Sequence, residues 1–149
     1  MYILIVEDDP LQAELMIDAI KTDSLLNNAR IERISTESHF RQKLDEIVKT
    51  LPNVITMDIM LRWADASPAV DAESTPEEVR EKGIFEAGLR CERLLASRTE
   101  TQQVPVILYT IVSKEDLGES LPQRNNLLHL PKDSDLTPLI LAIRDVTRT

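Results

Sequence analysis

An α/β domain built on a parallel sheet is predicted by three features of this sequence. Short apolar runs alternate with amphipathic stretches, capping residues stand ahead of those stretches, and 149 residues with 42% hydrophobic content suffice for one sizeable core. A second independent domain is not expected. The apolar runs are residues 2–6, 29–34, 54–57, 104–110 and 127–130. After the first run, Asp9 reads as an N-cap with Pro10 in the first helical turn, and Leu11, Leu15, Met16, Ala19 and Ile20 make one apolar stripe. Phe40, Leu44, Ile47, Val48 and Leu51 recur at helical spacing after Thr36, predicting a second helix that returns the chain to the third run. A terminal helix is marked by Leu139, Ile140, Ile143 and Val146, approached through Ser134 and Asp135, with Pro138 in the first turn where its missing N–H does no harm.

Regularity fails between the third and fourth runs. A strand–helix–strand unit takes about 30 residues, and the stretch from Asp58 to Thr110 exceeds that by roughly 20. The excess falls at residues 62–82, which hold Pro68, Pro76, the only tryptophan (Trp63) and many acids. Thr75-Pro76-Glu77-Glu78 reads as a capping box with proline at the first helical position, and Gly83 as a break before a stripe of Ile84, Leu89, Cys91, Leu94 and Leu95.

A formal net charge of −9 repels the phosphates of nucleic acid, and no basic patch offsets it, so nucleic acid is not an expected partner. The single cysteine, Cys91, excludes an intrachain disulfide framework, fits a reducing compartment and reads as a small buried apolar residue. The first apolar run meets acids at Glu7, too soon for a signal peptide or a membrane span. A soluble, cytoplasmic protein is therefore expected, with no membrane partner.

In an open parallel α/β sheet the ligand site lies outside the carboxyl ends of the strands. There the sequence places Glu7-Asp8-Asp9, then Asp58, then Thr110, with Lys132 following the last run. Taken singly, Asp9 is a helix cap and Lys132 a solvated charge. Together, with Asp9 set aside as a cap, three acids, a hydroxyl and an ammonium converge on one rim. Clustered carboxylates repel one another, and a hard divalent cation with a preference for oxygen ligands relieves that repulsion. Mg²⁺ suits the cluster, because it binds through one or two carboxylates and keeps waters that a phosphate oxygen can replace. A carboxylate beside such an ion can act as nucleophile toward a phosphoryl group.

The series Ile5-Val6-Glu7-Asp8-Asp9-Pro10, Asp58-Ile59-Met60-Leu61, Pro105-Val106-Ile107-Leu108-Tyr109-Thr110 and Lys132 resembles the receiver domain of bacterial response regulators over nearly the whole chain apart from the insertion. The resemblance implies a flavodoxin-like, doubly wound five-stranded parallel sheet in the order 2-1-3-4-5. It implies one receiver domain over residues 1–149, an insertion at about 62–82, and no output domain. Asp58 is then the phospho-acceptor. Asp8, Asp58 and the Met60 backbone carbonyl are ligands of Mg²⁺, and Glu7 assists through water. Thr110 follows the phosphoryl group and forms a switch with the residue at 129, and Lys132 pairs with the modified acid. The implied partners are a sensor histidine kinase or histidine phosphotransfer protein and a downstream effector protein, reached through a surface; a homodimer is compatible with these motifs. Such a domain catalyses only its own phosphorylation and dephosphorylation and is not a turnover enzyme.

Three positions depart from the family pattern. His129 stands where the aromatic switch residue is usual, Pro131 precedes Lys132 while Asp133 follows it, and the bulky Ile111 follows Thr110. His129, Ile111 and the insertion are what favour an alternative, a phosphorylation-independent pseudo-receiver used as a scaffold. A Mg²⁺-dependent phosphohydrolase is a third class, but such enzymes place a second aspartate where Met60 stands. The three glycines form no phosphate-cradling loop, which argues against a nucleotide-binding enzyme. His39 on the second helix reads as a surface histidine. The resemblance implies that the residues two after the acceptor and two after the threonine flank an attacking water; here they are the apolar Met60 and Val112, which cannot orient it, and Ile111 adds bulk, so a long-lived aspartyl phosphate is predicted.

Overall fold

The computed structural model describes residues 1–65 and 75–148. Alternation along a strand sends successive side chains to opposite faces, so a strand buried on both faces feeds two cores. That is how β1 (Tyr2–Val6) is used: Leu4 and Val6 join one apolar cluster, Ile3 and Ile5 the other. The sheet is completed by β2 (Arg30–Ile34), β3 (Val54–Met57), β4 (Val106–Thr110) and β5 (Leu127–Pro131), all parallel, in the order β2-β1-β3-β4-β5. The first cluster lies under α2 (Glu37–Lys49) and α4 (Ala87–Ala96), where Phe40, Leu44, Ile47, Cys91 and Leu95 pack on β1 and β3. The second lies under α1 (Pro10–Thr22) and α6 (Thr137–Thr147), through Met16, Ile20, Leu139 and Ile143. The doubly wound sheet and its strand order are those expected.

Two further short α-helices lie in the described chain, beside 3₁₀ turns over Gly83–Glu86 and Gly118–Ser120. One, α3 (Glu77–Lys82), lies within the insertion; the other, α5 (Lys114–Leu117), joins β4 to β5 and buries Leu117. No element had been expected at α5, because four residues are too few to show a helical period. Its sequence signal was the cap: Ser113 accepts a hydrogen bond from Asp116 N–H at 3.1 Å.

Several local expectations shift. The apolar stripe of α1 runs through Ala13, Met16 and Ile20, whereas Leu11 and Leu15 are 64% and 49% exposed. Leu51 lies beyond the end of α2 and is exposed, and Ile84 belongs to a 3₁₀ turn over Gly83–Glu86 rather than to the stripe of α4. The run at 104–110 becomes a strand only from Val106. Helix α3 is capped by Pro76 without a side-chain bond, so the reading of Thr75 as cap moves by one residue: Val79 and Arg80 N–H both reach the Pro76 carbonyl. Pro68 lies outside the described residues.

The insertion is an excursion that closes on itself. Leu61 N–H donates to the Ile84 carbonyl at 3.3 Å, and Gly88 N–H to the Ile59 carbonyl at 2.8 Å, so the chain rejoins the sheet almost where it left. Gly83 ends α3 with φ of 61°, in the left-handed region that favours glycine. Gly88 has a different reason to be glycine. A Cβ there would stand 2.0 Å from the Asp58 carbonyl oxygen, so α4 begins in backbone contact with the segment that carries Asp58.

Candidate functional site

The strand ends set the site before any side chain does. Glu7 N–H bonds to the Ile34 carbonyl and Asp58 N–H to the Val6 carbonyl, which carries the sheet pairing one step past β1 and β3 and brings the two acids side by side. Lys132 N–H bonds to the Thr110 carbonyl at 2.9 Å, extending the β4–β5 pairing in the same way. The Lys132 ammonium then lies 2.6 Å from Glu7 Oε2 and 2.7 Å from Asp58 Oδ2. Asp58 Oδ1 turns back over its own backbone and accepts from Ile59 N–H at 2.7 Å. Asp9, as expected from its place before Pro10, is the cap of α1, accepting from Leu11 and Gln12 N–H.

Glu7 and Asp58 are buried, at 2% and 6% exposure, while Asp8 is half-buried. Burial pushes the Glu7 carboxyl above its ordinary range; the nearby Asp58 charge adds to this, and the Lys132 hydrogen bond opposes it. Burial alone would lower the Lys132 ammonium, but its bonds to Asp58 and Glu7 prevail and it stays above its ordinary value, hence charged.

One carboxylate oxygen each from Glu7, Asp8 and Asp58 lie within 4.8 Å of one another. Among the described residues these three carboxylates meet the Lys132 ammonium and, at Asp8, the Arg62 guanidinium 3.6 Å away, which leaves a surplus of negative charge, and the donors are all oxygen. These residues fit a hard divalent cation. They open into a cleft of about 530 Å³ whose wall also includes Gln12, Met60, Ile84 and Ile111. Ile111 is 68% exposed and Ile84 comes from the base of the insertion, so two apolar side chains stand among the polar groups of the cleft wall. Val112 is placed otherwise, with its side chain against the core under α2 and α4.

Thr110 is fully buried, and its hydroxyl accepts from Val112 N–H at 3.2 Å. His129 Nε2 stands 2.7 Å from the Val112 carbonyl. A carbonyl cannot donate, so the imidazole carries its proton on Nε2. Thr110 and His129 are thus joined through the two peptide groups of one residue.

Some participants were not singled out in the sequence. Arg33 donates to the carbonyls of Glu7 and Asp8, fixing the turn after β1. Arg62 also meets Asp8, its backbone N–H donating to Asp8 Oδ2 at 3.2 Å and its Nε lying 3.6 Å from the same oxygen. Glu37, fully buried at the start of α2, is bound by Arg90 of α4 at 2.7 Å and by Arg41 at 2.9 Å. An arginine after a strand, or a charge on a helix, reads as solvated until packing is known. Gly88 did carry a signal, since a glycine inside a helical stripe hints at close backbone approach. His39 is half-buried on α2, with its backbone N–H donating to the Thr36 hydroxyl that caps the helix.

The sequence matches no protein-family model and no curated protein. Solved structures are similar over nearly the whole chain. A sensor protein from Polaromonas sp. JS666 aligns at 18% identity and a TM-score of 0.65, covering 98% of this chain and 94% of that one. A signal receiver domain of a signal transduction histidine kinase from Syntrophus aciditrophicus aligns at 22% and 0.66, covering 98% and 89%. The Mn²⁺-bound form of the response regulator Rcp1 aligns at 19% and 0.60, covering 97% and 90%. At these identities the likeness speaks for the fold, and the fold is that of signal receiver domains.

Proposed function

We propose that this protein is a receiver in two-component phosphorelay signalling, phosphorylated on Asp58. The observation that carries the reading is the Lys132 ammonium lying between Glu7 and Asp58 at the carboxyl edge of a receiver-type sheet. Burying two acids against one cation is costly unless further positive charge arrives, and a site of this kind is suited to bind a cation and an incoming phosphoryl group.

Asp8, Asp58 and the Met60 carbonyl would hold Mg²⁺, with Glu7 assisting through water. When bound, the ion neutralises charge on the transferring phosphoryl group. The chain's own groups do the rest. A carboxylate oxygen of Asp58 attacks phosphorus, the bond from phosphorus to the donor nitrogen of a phosphohistidine breaks, and the imidazole leaves with the electron pair. Asp58 Oδ2 is held by Lys132, so attack through that oxygen requires the ammonium to yield it. The same ammonium then neutralises the new phosphoryl oxygens. Thr110, linked to His129 through Val112, supplies the hydroxyl that follows the phosphoryl group and passes the change to β5. Met60 and Ile111 offer an attacking water no strong hydrogen-bond partner, which favours slow loss of the phosphoryl group.

The domain modifies only itself, its donor is a histidine kinase or phosphotransfer protein, and a protein partner reads the output. Treatment with acetyl phosphate and Mg²⁺ should add one phosphoryl group by intact mass, and Asp58→Asn should add none. Modification of that variant would place the acceptor elsewhere; no modification of the wild type by any donor would leave the fold as a phosphorylation-independent scaffold.

A further inference from the structure

The insertion leaves β3 through Arg62, and this side chain is folded back onto the candidate ion ligand. Its Nε lies 3.6 Å from Asp8 Oδ2 and its Nη2 donates to the Asp8 carbonyl at 3.3 Å, while the Arg62 backbone N–H donates to Asp8 Oδ2 at 3.2 Å. The guanidinium is half exposed and can move, whereas the backbone beneath it is anchored. The carbonyls of Arg62 and Trp63 accept from Glu37 and Ser38 N–H at 3.0 and 2.8 Å, at the start of α2. A second acid waits within reach: Asp65 Oδ1 lies 3.8 Å from Arg62 Nη2.

We infer that Arg62 is a positioning residue that sets the cation affinity of the site, by occupying Asp8 until a divalent ion arrives and then transferring to Asp65. The inference rests on the proposed cation site and deepens it. A coordinating cation needs the Asp8 oxygen that the guanidinium faces, and two like charges cannot share it without repulsion. Displacement toward Asp65 relieves that repulsion while keeping the guanidinium paired. Trp63 follows Arg62 directly and its ring has Arg41 stacked at 5.6 Å, so the swing takes place beside a fluorophore. Occupancy of the ion site is thereby registered at the root of the insertion.

The test is calorimetric titration of the full chain with MgCl₂, with Trp63 emission as a second readout. Arg62→Ala should bind Mg²⁺ about fivefold more tightly than wild type, the scale expected for removing one partly screened charge near a divalent ion. Arg62→Lys, which keeps the charge but not the fork, should fall between the two. Asp65→Asn should bind about twofold more weakly, since the displaced guanidinium loses its second partner. Wild-type emission should change on Mg²⁺ addition, and the change should shrink in Arg62→Ala. A merely structural arginine would lower affinity when removed, so equal or weaker binding by Arg62→Ala overturns the inference. If Mg²⁺ still binds and Asp8→Asn abolishes that binding, only the role of Arg62 falls. If neither wild type nor Arg62→Ala binds Mg²⁺, the cation site itself is refuted.

Discussion

Glu7 and Glu37 are both buried carboxylates on the same edge of the sheet, at 2% and 0% exposure, yet their surroundings are opposite. Glu37 is enclosed. Arg90 binds both its oxygens, Arg41 binds one of them and also pairs with Glu78, and Arg90 spends a further N–H on the Gly83 carbonyl. Among the described residues, two guanidiniums balance two carboxylates there. Glu7 instead shares one ammonium with Asp58, stands near Asp8, and faces an open cleft. The contrast teaches how to tell a structural buried acid from a functional one. The first has its charge closed by neighbours, here tying the far end of the insertion, at Glu78 and Gly83, to α2 and α4; the second keeps a surplus and a way in.

If this contrast is sound, the largest effect belongs to the closed cluster. Arg90→Ala should cost about 3–5 kcal/mol in a urea melt, because it leaves Glu37 buried beside Arg41 alone. Mg²⁺ should raise the midpoint of this variant no more than it raises that of wild type. Lys132→Ala should behave differently: the added negative surplus makes Mg²⁺ stabilise it more than wild type. Equal Mg²⁺ increments in the two variants would erase the distinction.

Gly88→Ala joins the two regions and should have the next effect. The added methyl meets the Asp58 carbonyl at 2.0 Å, and relief requires α4 to move off the acceptor segment. A loss of about 1–3 kcal/mol is expected, as for other overpacked sites, with slower phosphorylation by acetyl phosphate. An unchanged melt would show that α4 is not held against Asp58.

The smallest effect concerns pH. Burial holds the Glu7 carboxyl above its unfolded value, so the stability linked to its proton is fully present below the ordinary glutamate range and is lost as pH rises through the raised folded value. Glu7→Gln has no proton to lose. The stability of wild type relative to this variant should therefore fall as pH climbs through that window, and a parallel pair of profiles would contradict the raised carboxyl. Asp23, held below its ordinary value by Arg144, gives the opposite sign: its contribution is present above the ordinary aspartate range and is lost as pH falls through the depressed value.

Much of the candidate site was legible because it depends on local rules. The runs ending at Val6 and Met57 gave strands with those bounds, and Asp9 with Pro10 capped α1 as its residue types require. Cys91 is fully buried, and burial pushes its thiol well up, in keeping with its reading as a small apolar residue. Leu11 and Leu15 misled, because a helical stripe does not say which edge of it meets the sheet.

The amino-acid order alone was enough to specify a parallel α/β sheet, the rim on which Glu7, Asp8, Asp58, Thr110 and Lys132 meet, and an excursion after Asp58, because strand alternation, helix caps and strand-end chemistry act over a few residues. Tertiary structure decided the rest: that one ammonium bridges two acids, that Leu61 and Ile84 close the insertion, that Glu37 is sealed by Arg90 and Arg41, and that Arg62 turns back onto Asp8. The reason is physical. A charged side chain finds its partner across tens of residues of chain only after packing has fixed distances and excluded water, and nothing in its neighbours along the sequence records that choice.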